Sequence, residues 1–353
     1  MTKINLGIIL GGMSTENEVS VVSANSVLKN LNKEKYNIFP IYISKDGEWW
    51  IYDTKNLDSK IGENVILKEK INDIMGYLKK LDVVFPILHG KYGEDGTLQG
   101  LLEMIKKPYV GCKVLASSIG MDKVYSKIVF SKAGLNQAKC EYIRKYNDKY
   151  IHINPNFEEQ IMNLKDISKK ITENLEFPMF VKPSNSGSSV GINQAKNIEE
   201  LEKYIEFAAQ FDNKILIEQK IVGREVECAV LGNEEVIASS IGEVLADEQF
   251  YSYDEKYNSK KDKTKIPADL PEHIAEKIKL EAIKAFKAID GKGLSRVDFF
   301  VEEKTNKIYI NEINTLPGFT NISMYPKLFE NAGISYSELL DRLINLAILN
   351  IKK

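Results

Sequence analysis

The sequence predicts an α/β protein whose N-terminal part is built on a parallel sheet. The first hundred residues alternate a helical pattern, Glu16 to about Leu31, with apolar runs at Ile4 to Leu10, Phe39 to Ile43 and Asp82 to Leu88. This alternation is typical of strands joined by crossover helices. The chain has 353 residues, more than one ordinary core accommodates, so we expect two or three domains.

The later segments predict two further units. We expect a first domain at 1–113, a second at 114–213 and a third at 214–353. The second contains a polar helical pattern at Glu158 to Asn174, and the third opens with a strand at Ile215 to Gln219. A helical pattern from Pro271 to Ile289, whose apolar residues at helical spacing include Ile278 and Phe286, is followed by a hairpin and a C-terminal helix.

Composition limits the partners of the protein. Lysine plus arginine (48) nearly balances aspartate plus glutamate (50), so no global charge favours nucleic acid or an anionic membrane. Cys112, Cys140 and Cys228 have no metal-ligand spacing and leave an odd thiol, which fits a reducing cytoplasm. No apolar segment approaches the length of a membrane span or signal peptide. We therefore expect a cytoplasmic protein that binds neither nucleic acid nor membrane.

The stretch GGMSTENEVS links the first strand to the first helix through a glycine turn. Such turns often bind phosphate, but Glu16 and Glu18 would bring like charge to the helix N-terminus. Thr15 and Glu18 have the spacing of a capping box, which would fix the helix start. The residues by themselves leave Glu16 open as an ordinary dipole-favoured glutamate.

A hairpin near the C-terminus indicates a metal site. If Glu303 pairs with Lys307, Asp298 falls opposite Glu312, and strand alternation puts Asn314 on the same face. Opposed carboxylates are destabilising unless a cation lies between them. These hard oxygen ligands suit magnesium when nucleotide phosphates supply further ligands. An exposed acidic sheet face is the alternative, and the spacing alone does not decide between them.

Two segments indicate a nucleotide. Lys182 ends a strand and is followed by a serine- and glycine-rich loop, so the lysine could reach phosphate oxygens while the loop closes over them. A surface linker is the alternative reading of this loop. In the strand–turn–strand IEQKIVGREVE, Glu218 and Glu225 could bind an adenine amine and ribose hydroxyls, or be solvated edge residues.

Eight motifs in order carry a resemblance to a known family: GGMSTENEVS, HGKYGEDGTLQG, MDK, FVKPSNSGSSVGI, IEQKIVGREVE, EKY, RVD and NEINTLPGFT. Together they resemble the D-alanine–D-alanine ligases of the ATP-grasp superfamily over essentially the whole chain. The resemblance implies a three-domain ATP-grasp fold with ATP between the second and third domains. It also implies two magnesium ions, for which manganese can substitute, and a homodimer.

The implied reaction joins two D-alanines for peptidoglycan precursor synthesis. The first carboxylate attacks the γ-phosphate to give an acyl phosphate, and the amine of the second D-alanine displaces phosphate. Five implied catalytic positions anchor the first ammonium group, close the loops and stabilise the oxyanion: Glu16, Ser188, Tyr257, Arg296 and Gly318. Within this set, Glu16, Ser188 and Tyr257 are implied to form a hydrogen-bonded triad.

The remaining positions implied by the resemblance bind ligands. The ATP-binding residues are Lys123, Lys182, Ser189, Glu218, Gln219, Ile221, Glu225 and Lys256. The metal ligands are Asp298, Glu312 and Asn314. The residues beside the D-alanines are His89, Ser323 and Met324.

The identity of the second substrate is inferred from few residues of the sequence. An apolar residue at Met324 favours D-alanine, because a methyl group suits an apolar wall and a hydroxymethyl group wants a polar partner. The family usually has Thr-Ser-His-Ser where this chain has Thr320-Asn321-Ile322-Ser323, so the histidine is absent. This departure concerns the polar surroundings of the second subsite. Some serine-forming relatives carry arginine at the position of Met324 and several keep the tyrosine found here at Tyr257, so a D-alanine–D-serine ligase is the alternative function.

Other classes fit the sequence less well. A non-catalytic ATP-binding module would not need Glu16, Ser188, Tyr257 and Arg296 together with the metal ligands. A Rossmann dehydrogenase is excluded because the N-terminal turn lacks G-x-G-x-x-G. Another ATP-grasp amide ligase is opposed by GGMSTENEVS and HGKYGEDG, which belong to the substrate end of the resembled family.

Overall fold

The computed structural model describes residues 2–245 and 264–350, which form three β-sheets with helices packed on them. The N-terminal sheet has five strands in the order β4-β3-β2-β1-β5. Strand β1 pairs in parallel with β2 and β5, as predicted, and antiparallel β3 and β4 extend the sheet. The strands are β1 Ile4–Gly11, β2 Tyr36–Ile43, β3 Trp49–Tyr52, β4 Leu67–Lys70 and β5 Val83–Pro86.

Five helices accompany this sheet and lead into the next one. Strands β1 and β5 are apolar over nearly their whole length because helices or other elements cover both faces of a parallel pair. Helix α5 begins after Asp122, whose carboxylate accepts hydrogen bonds from the N–H groups of Val124 and Tyr125, both at 3.1 Å. The helices are α1 Asn17–Asn30, α2 Ile74–Lys79, α3 Thr97–Met104, α4 Val114–Met121 and α5 Lys123–Lys132.

The predicted capping box at the start of α1 is wrong. The box needs Thr15 as the N-cap, but the N-cap is Glu16, which moves Glu18 one position closer to the helix start. The Glu18 carboxylate instead accepts hydrogen bonds from Lys45 Nζ at 3.0 Å and from the Gly62 N–H at 2.9 Å. These two hydrogen bonds lower the pKa of Glu18.

The central sheet is antiparallel and has six strands in the order β10-β9-β11-β6-β7-β8. Helices α6 Leu164–Asn174 and α7 Ile198–Ala208 accompany it. The strands are β6 Cys140–Tyr146, β7 Lys149–Ile153, β8 Glu159–Met162, β9 Met179–Pro183, β10 Asn193–Ala195 and β11 Lys214–Gln219.

Two sequence expectations need correction here. The helix expected from Glu158 begins only at Leu164, because β8 pairs with β7 and the Asn163 side chain caps the helix by accepting the Asp166 N–H at 2.9 Å. The strand expected to open the third unit is β11, which lies between β9 and β6 of the central sheet. A boundary at 214 therefore cuts this sheet.

The C-terminal sheet has five strands in the order β14-β13-β12-β15-β16. The strands are β12 Arg224–Gly232, β13 Val236–Val244, β14 Thr264–Lys265, β15 Gly293–Val301 and β16 Ile308–Asn314. The helices of this part are α8 Glu272–Ala288, α9 Met324–Asn331 and α10 Tyr336–Leu349. The apolar residues expected on one face of α8, including Ile278 and Phe286, are buried in the core beneath the sheet.

A shared hydrophobic core joins the N-terminal and C-terminal units, whereas the central sheet has a core of its own. One core combines residues of the N-terminal sheet and α1 with residues of α9, α10 and β12, and the rings of Phe85 and Phe319 meet edge to face across it at 5.6 Å. The core of the central sheet draws all of its buried members from the segment Ile143 to Ile217. The first and third units thus share apolar packing that the central sheet does not share. The division 1–113, 114–213 and 214–353 otherwise stays a prediction.

Two expectations from composition can be compared with this structure. Cys112, Cys140 and Cys228 are all free thiols. None of the helices in residues 2–245 and 264–350 is both long and apolar enough to cross a membrane.

Candidate active site

Four segments that are distant in the sequence converge on one site. They are the turn before α1, the start of α5, the serine-rich loop after β9 and the β15–β16 hairpin. Lys123 Nζ donates to a carbonyl of the serine-rich loop at 2.6 Å, and the Ser188 hydroxyl donates to the Glu16 carboxylate. Lys123 also lies within the electrostatic influence of Lys182 and Glu312. Predicted site residues from all three expected units are therefore neighbours.

The serine-rich loop has an unusual backbone where it meets Glu16. Ser188 and Ser189 both have positive φ, at 48° and 60°, a left-handed conformation that costs about 1–2 kcal/mol per non-glycine residue. The loop also approaches Glu16 through Gly187, where an added Cβ would lie only 3.0 Å from Glu16 Oε2. Strained backbone of this kind is typical of ligand-binding loops.

Of the hydrogen-bonded triad that the resemblance implies, the described residues include one contact, between Glu16 and Ser188. Glu16 and Ser188 are hydrogen-bonded, which joins the N-terminal unit to the central sheet. Tyr257, the third implied member, and Lys256, an implied ATP contact, both lie outside the described residues.

Lys123 and Lys182, the two lysines expected to bind phosphate, differ in their surroundings. Burial lowers the pKa of Lys123, an effect that Glu312 partly offsets. Lys182 is also buried, but its ion pair with Glu218, 2.6 Å between Nζ and Oε2, outweighs burial and raises its pKa. Both side chains thus remain candidates for binding phosphate oxygens.

Glu218 is held between two ammonium groups. Lys182 contacts one carboxylate oxygen, and Lys127 contacts the other. Burial would raise the pKa of Glu218, but the two lysines together lower it to about 2. Because both oxygens already have cationic partners, the Glu218 side chain acts as a charge partner here, and its contact with adenine stays a prediction.

The segment expected to bind the nucleoside lies where β11 leads into β12. The Gln219 N–H donates to the Lys139 carbonyl at 2.9 Å, which fixes the backbone before the turn. Gln219 Oε1 is buried and has no hydrogen-bond partner among the residues that the structure describes. Ile221 and Glu225, the other residues expected here, are half-buried at the turn and the start of β12. The segment thus offers an open acceptor beside a fixed backbone.

The hairpin confirms the predicted pairing of Asp298 with Glu312 although its premise is wrong. Lys307 pairs with Glu302 rather than with Glu303, since the Glu302 N–H donates to the Lys307 carbonyl at 3.0 Å. A β-bulge then adds one residue, Asn311, to the second strand and shifts the register back. Bulges often aim side chains beside functional sites, and this one restores the carboxylate pair.

Arg296 is bound to two carboxylates. It donates to Asp298 through Nε at 2.8 Å and through Nη2 at 2.7 Å, and its Nε lies 3.1 Å from Glu227 Oε2 on the neighbouring strand β12. Burial would lower the pKa of Arg296, but Asp298 and Glu227 raise it well above its usual value. The guanidinium is therefore a permanent cation beside the opposed carboxylates.

The predicted metal ligands fit magnesium by their chemistry. Asp298 and Glu312 are opposite each other, and Asn314 pairs with Arg296 at the next position on the same face. Two carboxylates and an amide are hard oxygen ligands, and their small number leaves room for phosphate and water oxygens. Within 2–245 and 264–350, no three His, Cys, Asp or Glu side chains form a preformed metal cluster. Asp298, Glu312 and Asn314 fit magnesium because their oxygen ligands are of the type that this ion prefers.

His89 is connected through Ser23 of α1 to the loop after β16. Its Nε2 lies 3.0 Å from Ser23 Oγ, and Ser23 Oγ also accepts the Phe319 N–H at 3.4 Å. Burial would lower the pKa of His89, but the neighbouring Glu94 and Glu16 carboxylates raise it. Ser23 thus links His89 to the backbone next to Gly318.

The expected second-substrate residues lie at the start of α9. Ser323 Oγ accepts the Thr320 N–H at 2.9 Å, and an added Cβ on Gly318 would lie 2.8 Å from that oxygen. Met324 is buried, with its terminal methyl packed on Gly242 of β13. Ile322, which replaces the family histidine, is 58% exposed.

Three buried polar residues of the site were not identified from the sequence: Lys127, Glu227 and Ser23. A signal existed for Lys127, which follows Lys123 by four residues and so shares its helix face. Glu227 follows Glu225 by two residues on β12 and so shares its strand face. Ser23 carried no signal, because its partners are more than sixty residues away in the sequence.

An antiparallel sheet that supplies a lysine from a strand end, within reach of opposed carboxylates on a second antiparallel sheet, defines an ATP-grasp enzyme. The family models for the D-ala D-ala ligase N-terminus and C-terminus match residues 5–112 and 129–345. The chain belongs to the D-alanine–D-alanine ligase family.

Individual relatives agree with this family. The D-alanine–D-alanine ligase of Acetivibrio thermocellus is 47% identical, over 97% of this chain and 95% of that protein. The solved structure of the VanG D-Ala:D-Ser ligase from Enterococcus faecalis has a TM-score of 0.82 at 35% identity, over 98% of this chain and all of that one. The D-alanine–D-alanine ligase from Bacillus anthracis complexed with ATP has a TM-score of 0.74 at 29% identity, over 99% of both chains.

The contact between Glu16 and Ser188 generates a test. Ser188→Ala removes a hydrogen bond to a charged group, worth about 1.5–3 kcal/mol, so we expect roughly a tenfold to hundredfold loss in kcat/KM for D-alanine. Steady-state kinetics measures the loss, and Ser186→Ala, which removes a hydroxyl in the same loop without touching Glu16, is the control. Equal losses in both variants would mean that loop rigidity matters and the Glu16 contact does not.

Proposed function

We propose that this protein uses ATP to join two D-alanines, giving D-alanyl-D-alanine, ADP and phosphate, for peptidoglycan precursor synthesis. The observation that carries the proposal is the contact between Glu16 and Ser188. It links an anionic anchor, suited to a substrate ammonium group, to a loop whose neighbouring lysines suit phosphate. Family membership over nearly the whole chain supports the same reaction.

The proposed first step forms an acyl phosphate. Glu16 binds the ammonium group of the first D-alanine, which orients its carboxylate toward the γ-phosphate. An oxygen of that carboxylate attacks phosphorus, and the bond from phosphorus to the bridging oxygen of ADP breaks. Lys123 and Lys182 donate hydrogen bonds to the phosphate oxygens, and such positioning supplies most of the catalysis in phosphoryl transfer.

Magnesium would bind at the hairpin. Asp298, Glu312 and Asn314 would hold two ions, with manganese able to substitute, and the bound metal would neutralise charge on the transferring phosphoryl group. Arg296 stays cationic beside them because two carboxylates raise its pKa.

The proposed second step forms the peptide bond. The neutral amine of the second D-alanine attacks the acyl carbon, the bond from that carbon to the phosphate oxygen breaks, and the departing phosphate takes up the proton that the amine loses. Arg296 and the Gly318 N–H stabilise the oxyanion of the tetrahedral intermediate. Ser323 binds the carboxylate of the second D-alanine, and His89 lies beside the substrates.

Around the nucleoside, Gln219 Oε1 supports an adenine contact because it is a buried acceptor without a described partner. Ser189, Ile221, Glu225 and Lys256 complete the proposed ATP site.

The cellular setting of the reaction is part of the proposal. We propose a homodimer, as the family resemblance implies, and a cytoplasmic location, which three free thiols suit because a reducing compartment keeps them unpaired.

A D-alanine–D-serine ligase is the second candidate function. It is favoured by similarity to the structure of the VanG D-Ala:D-Ser ligase. The curated relative with 47% identity is a D-alanine–D-alanine ligase, which favours D-alanine. A non-catalytic ATP-binding role is less well supported, because the chain retains Glu16, Ser188, Arg296 and the metal ligands.

Product analysis distinguishes these candidates. We expect magnesium-dependent phosphate release from ATP with D-alanine alone, and mass spectrometry should identify D-alanyl-D-alanine. D-serine and D-lactate, each added with D-alanine, are the comparison substrates. A mixed D-alanyl-D-serine product without D-alanyl-D-alanine would reverse the assignment, and ATP binding without phosphate release would favour the non-catalytic role.

Met324 is the proposed specificity residue. Met324→Arg introduces hydrogen-bond donors where a hydroxymethyl group would lie, so we expect kcat/KM for D-serine relative to D-alanine to rise, by roughly tenfold. Met324→Leu keeps an apolar side chain of similar volume and should leave the ratio unchanged. Because Met324 is buried, the melting temperature of both variants must be measured. An unchanged ratio in a folded arginine variant would contradict the assignment.

A substitution of Glu312 tests the proposed metal site. Glu312→Gln removes one of two opposed charges, so we expect weaker metal binding and loss of turnover, most severe at limiting magnesium. A magnesium titration of phosphate release measures both effects. The matched control is Glu303→Gln, on the exposed turn of the same hairpin, which should behave as the unaltered protein. Near-normal activity of Glu312→Gln at limiting magnesium would refute this metal ligand.

A further inference from the structure

Lys127 is a buried cation for which the proposed reaction has no role. It lies on α5 one turn after Lys123, on the same face of the helix. Its side chain and that of Glu218 are each only 5% exposed, and Lys127 Nζ contacts Glu218 Oε1. Burying an ammonium group is costly unless an anion accompanies it, so the pair has a reason to persist.

The pair is one half of a three-charge arrangement. Glu218 Oε2 lies 2.6 Å from Lys182 Nζ, so one carboxylate separates two lysines, and the group of three carries a net positive charge. Lys182 sits at the end of β9, directly before the serine-rich loop, whereas Lys127 is enclosed within the protein. Of these two cations, Lys182 is therefore the one in position to be shared with a phosphate.

Sharing Lys182 with a phosphate has a consequence for Glu218. When a phosphate draws Lys182 away, the buried Glu218 carboxylate loses one of the two positive charges that offset its negative charge. A carboxylate in that position without a second cation would take up a proton and release its hold on Lys182. Lys127 prevents this, since it contacts the other oxygen in either case.

We infer that Lys127 is a positioning residue that keeps Glu218 anionic, so that Glu218 holds Lys182 in place for the phosphates of ATP. The inference rests on the proposed function, because it takes Lys182 to be a phosphate ligand. Lys127 itself touches neither nucleotide nor substrate and acts through Glu218.

The surroundings contain other charges that a pH experiment must consider. Cys140 lies opposite Glu218 on β6, and burial raises the pKa of its thiol to about 11. The remaining groups whose charges act on this arrangement are Glu141, Glu225, Glu312 and Lys123. The pKa of Glu218, lowered to about 2, leaves the carboxylate ionised throughout the neutral and mildly acidic range.

The test compares Lys127→Met with Lys127→Arg. Lys127→Met keeps the aliphatic length and removes the charge, whereas Lys127→Arg keeps the charge. Binding of magnesium-AMPPNP, a non-hydrolysed ATP analogue, is measured by calorimetry between about pH 8 and pH 5. We expect Lys127→Met to bind at least about tenfold more weakly and to lose further affinity as the pH falls, because Glu218 then titrates at higher pH. Lys127→Arg should bind within about threefold of the unaltered protein at every pH, so that its pH profile follows that of the unaltered protein, including the titration of the nucleotide's own terminal phosphate.

Adenosine binding distinguishes the inferred role of Lys127 from a merely structural one. If Lys127 only stabilised the fold, Lys127→Met would weaken adenosine binding as well. Because the effect passes through Lys182 to the phosphates, Lys127→Met should bind adenosine as the unaltered protein does. Equal losses for adenosine and AMPPNP would overturn the inference, and so would unchanged AMPPNP binding at every pH.

A double variant keeps the inference testable if Lys127→Met does not fold. This variant, Lys127→Met/Glu218→Gln, removes both buried charges and should fold, with AMPPNP binding that is weaker than that of the unaltered protein by the same factor at every pH. Unimpaired binding by the folded double variant would refute the inference. Failure of the unaltered protein to bind AMPPNP would refute the proposed function instead, so the two failures are distinguishable.

Discussion

The site depends on one constraint, which is that every charge taken out of water must have a partner before any ligand arrives. Glu218 satisfies two lysines, and Arg296 is satisfied by Asp298 and Glu227. Glu218 stands on β11 and Arg296 on β15, strands of two different sheets. The Glu218 group has two cations for one carboxylate and the Arg296 group has two carboxylates for one cation, so each ion has a partner although neither group is neutral. A nucleotide with its metal would enter between groups whose ions already have partners. The protein can thus present strongly charged groups to phosphate without leaving an unpaired charge in its interior.

The distribution of apolar contacts determines how the site is assembled. The N-terminal sheet shares a core with α9 and α10, which fixes Glu16 relative to the loop around Gly318. The central sheet has a core of its own and meets Glu16 through polar contacts of the serine-rich loop. Polar contacts of this kind can break and reform with little loss of buried apolar area, whereas the shared core cannot. The serine-rich loop is therefore the part of the site best suited to open for substrates.

The sequence predicted the elements with strong local signals and missed those fixed by distant partners. The β1–α1 unit follows from hydrophobic periodicity, which is a local property. The Asp298–Glu312 pair was predicted from a register that is wrong at the turn, and it is present because a β-bulge at Asn311 shifts the register. The membership of β11 in the central sheet depends on pairing with β6 and β9, which lie far away in the sequence. Lys127 was missed for a related reason, since its role becomes visible only when Glu218, 91 residues later, lies beside it. Tertiary pairing, rather than propensity, decided each of these cases.

The missing histidine at Ile322 is easier to understand once its neighbours are known. Ile322 is exposed, whereas Ser323 directly after it is held by the Thr320 N–H. Asn321, directly before it, accepts a hydrogen bond from the Ser26 hydroxyl at 2.8 Å, which ties this loop to α1. The loop is thus fixed on both sides of the changed residue by contacts that do not involve it. A polar side chain at 322 is therefore unnecessary for keeping Ser323 and Gly318 in position, and its replacement alters the chemistry at the rim of the site rather than its framework.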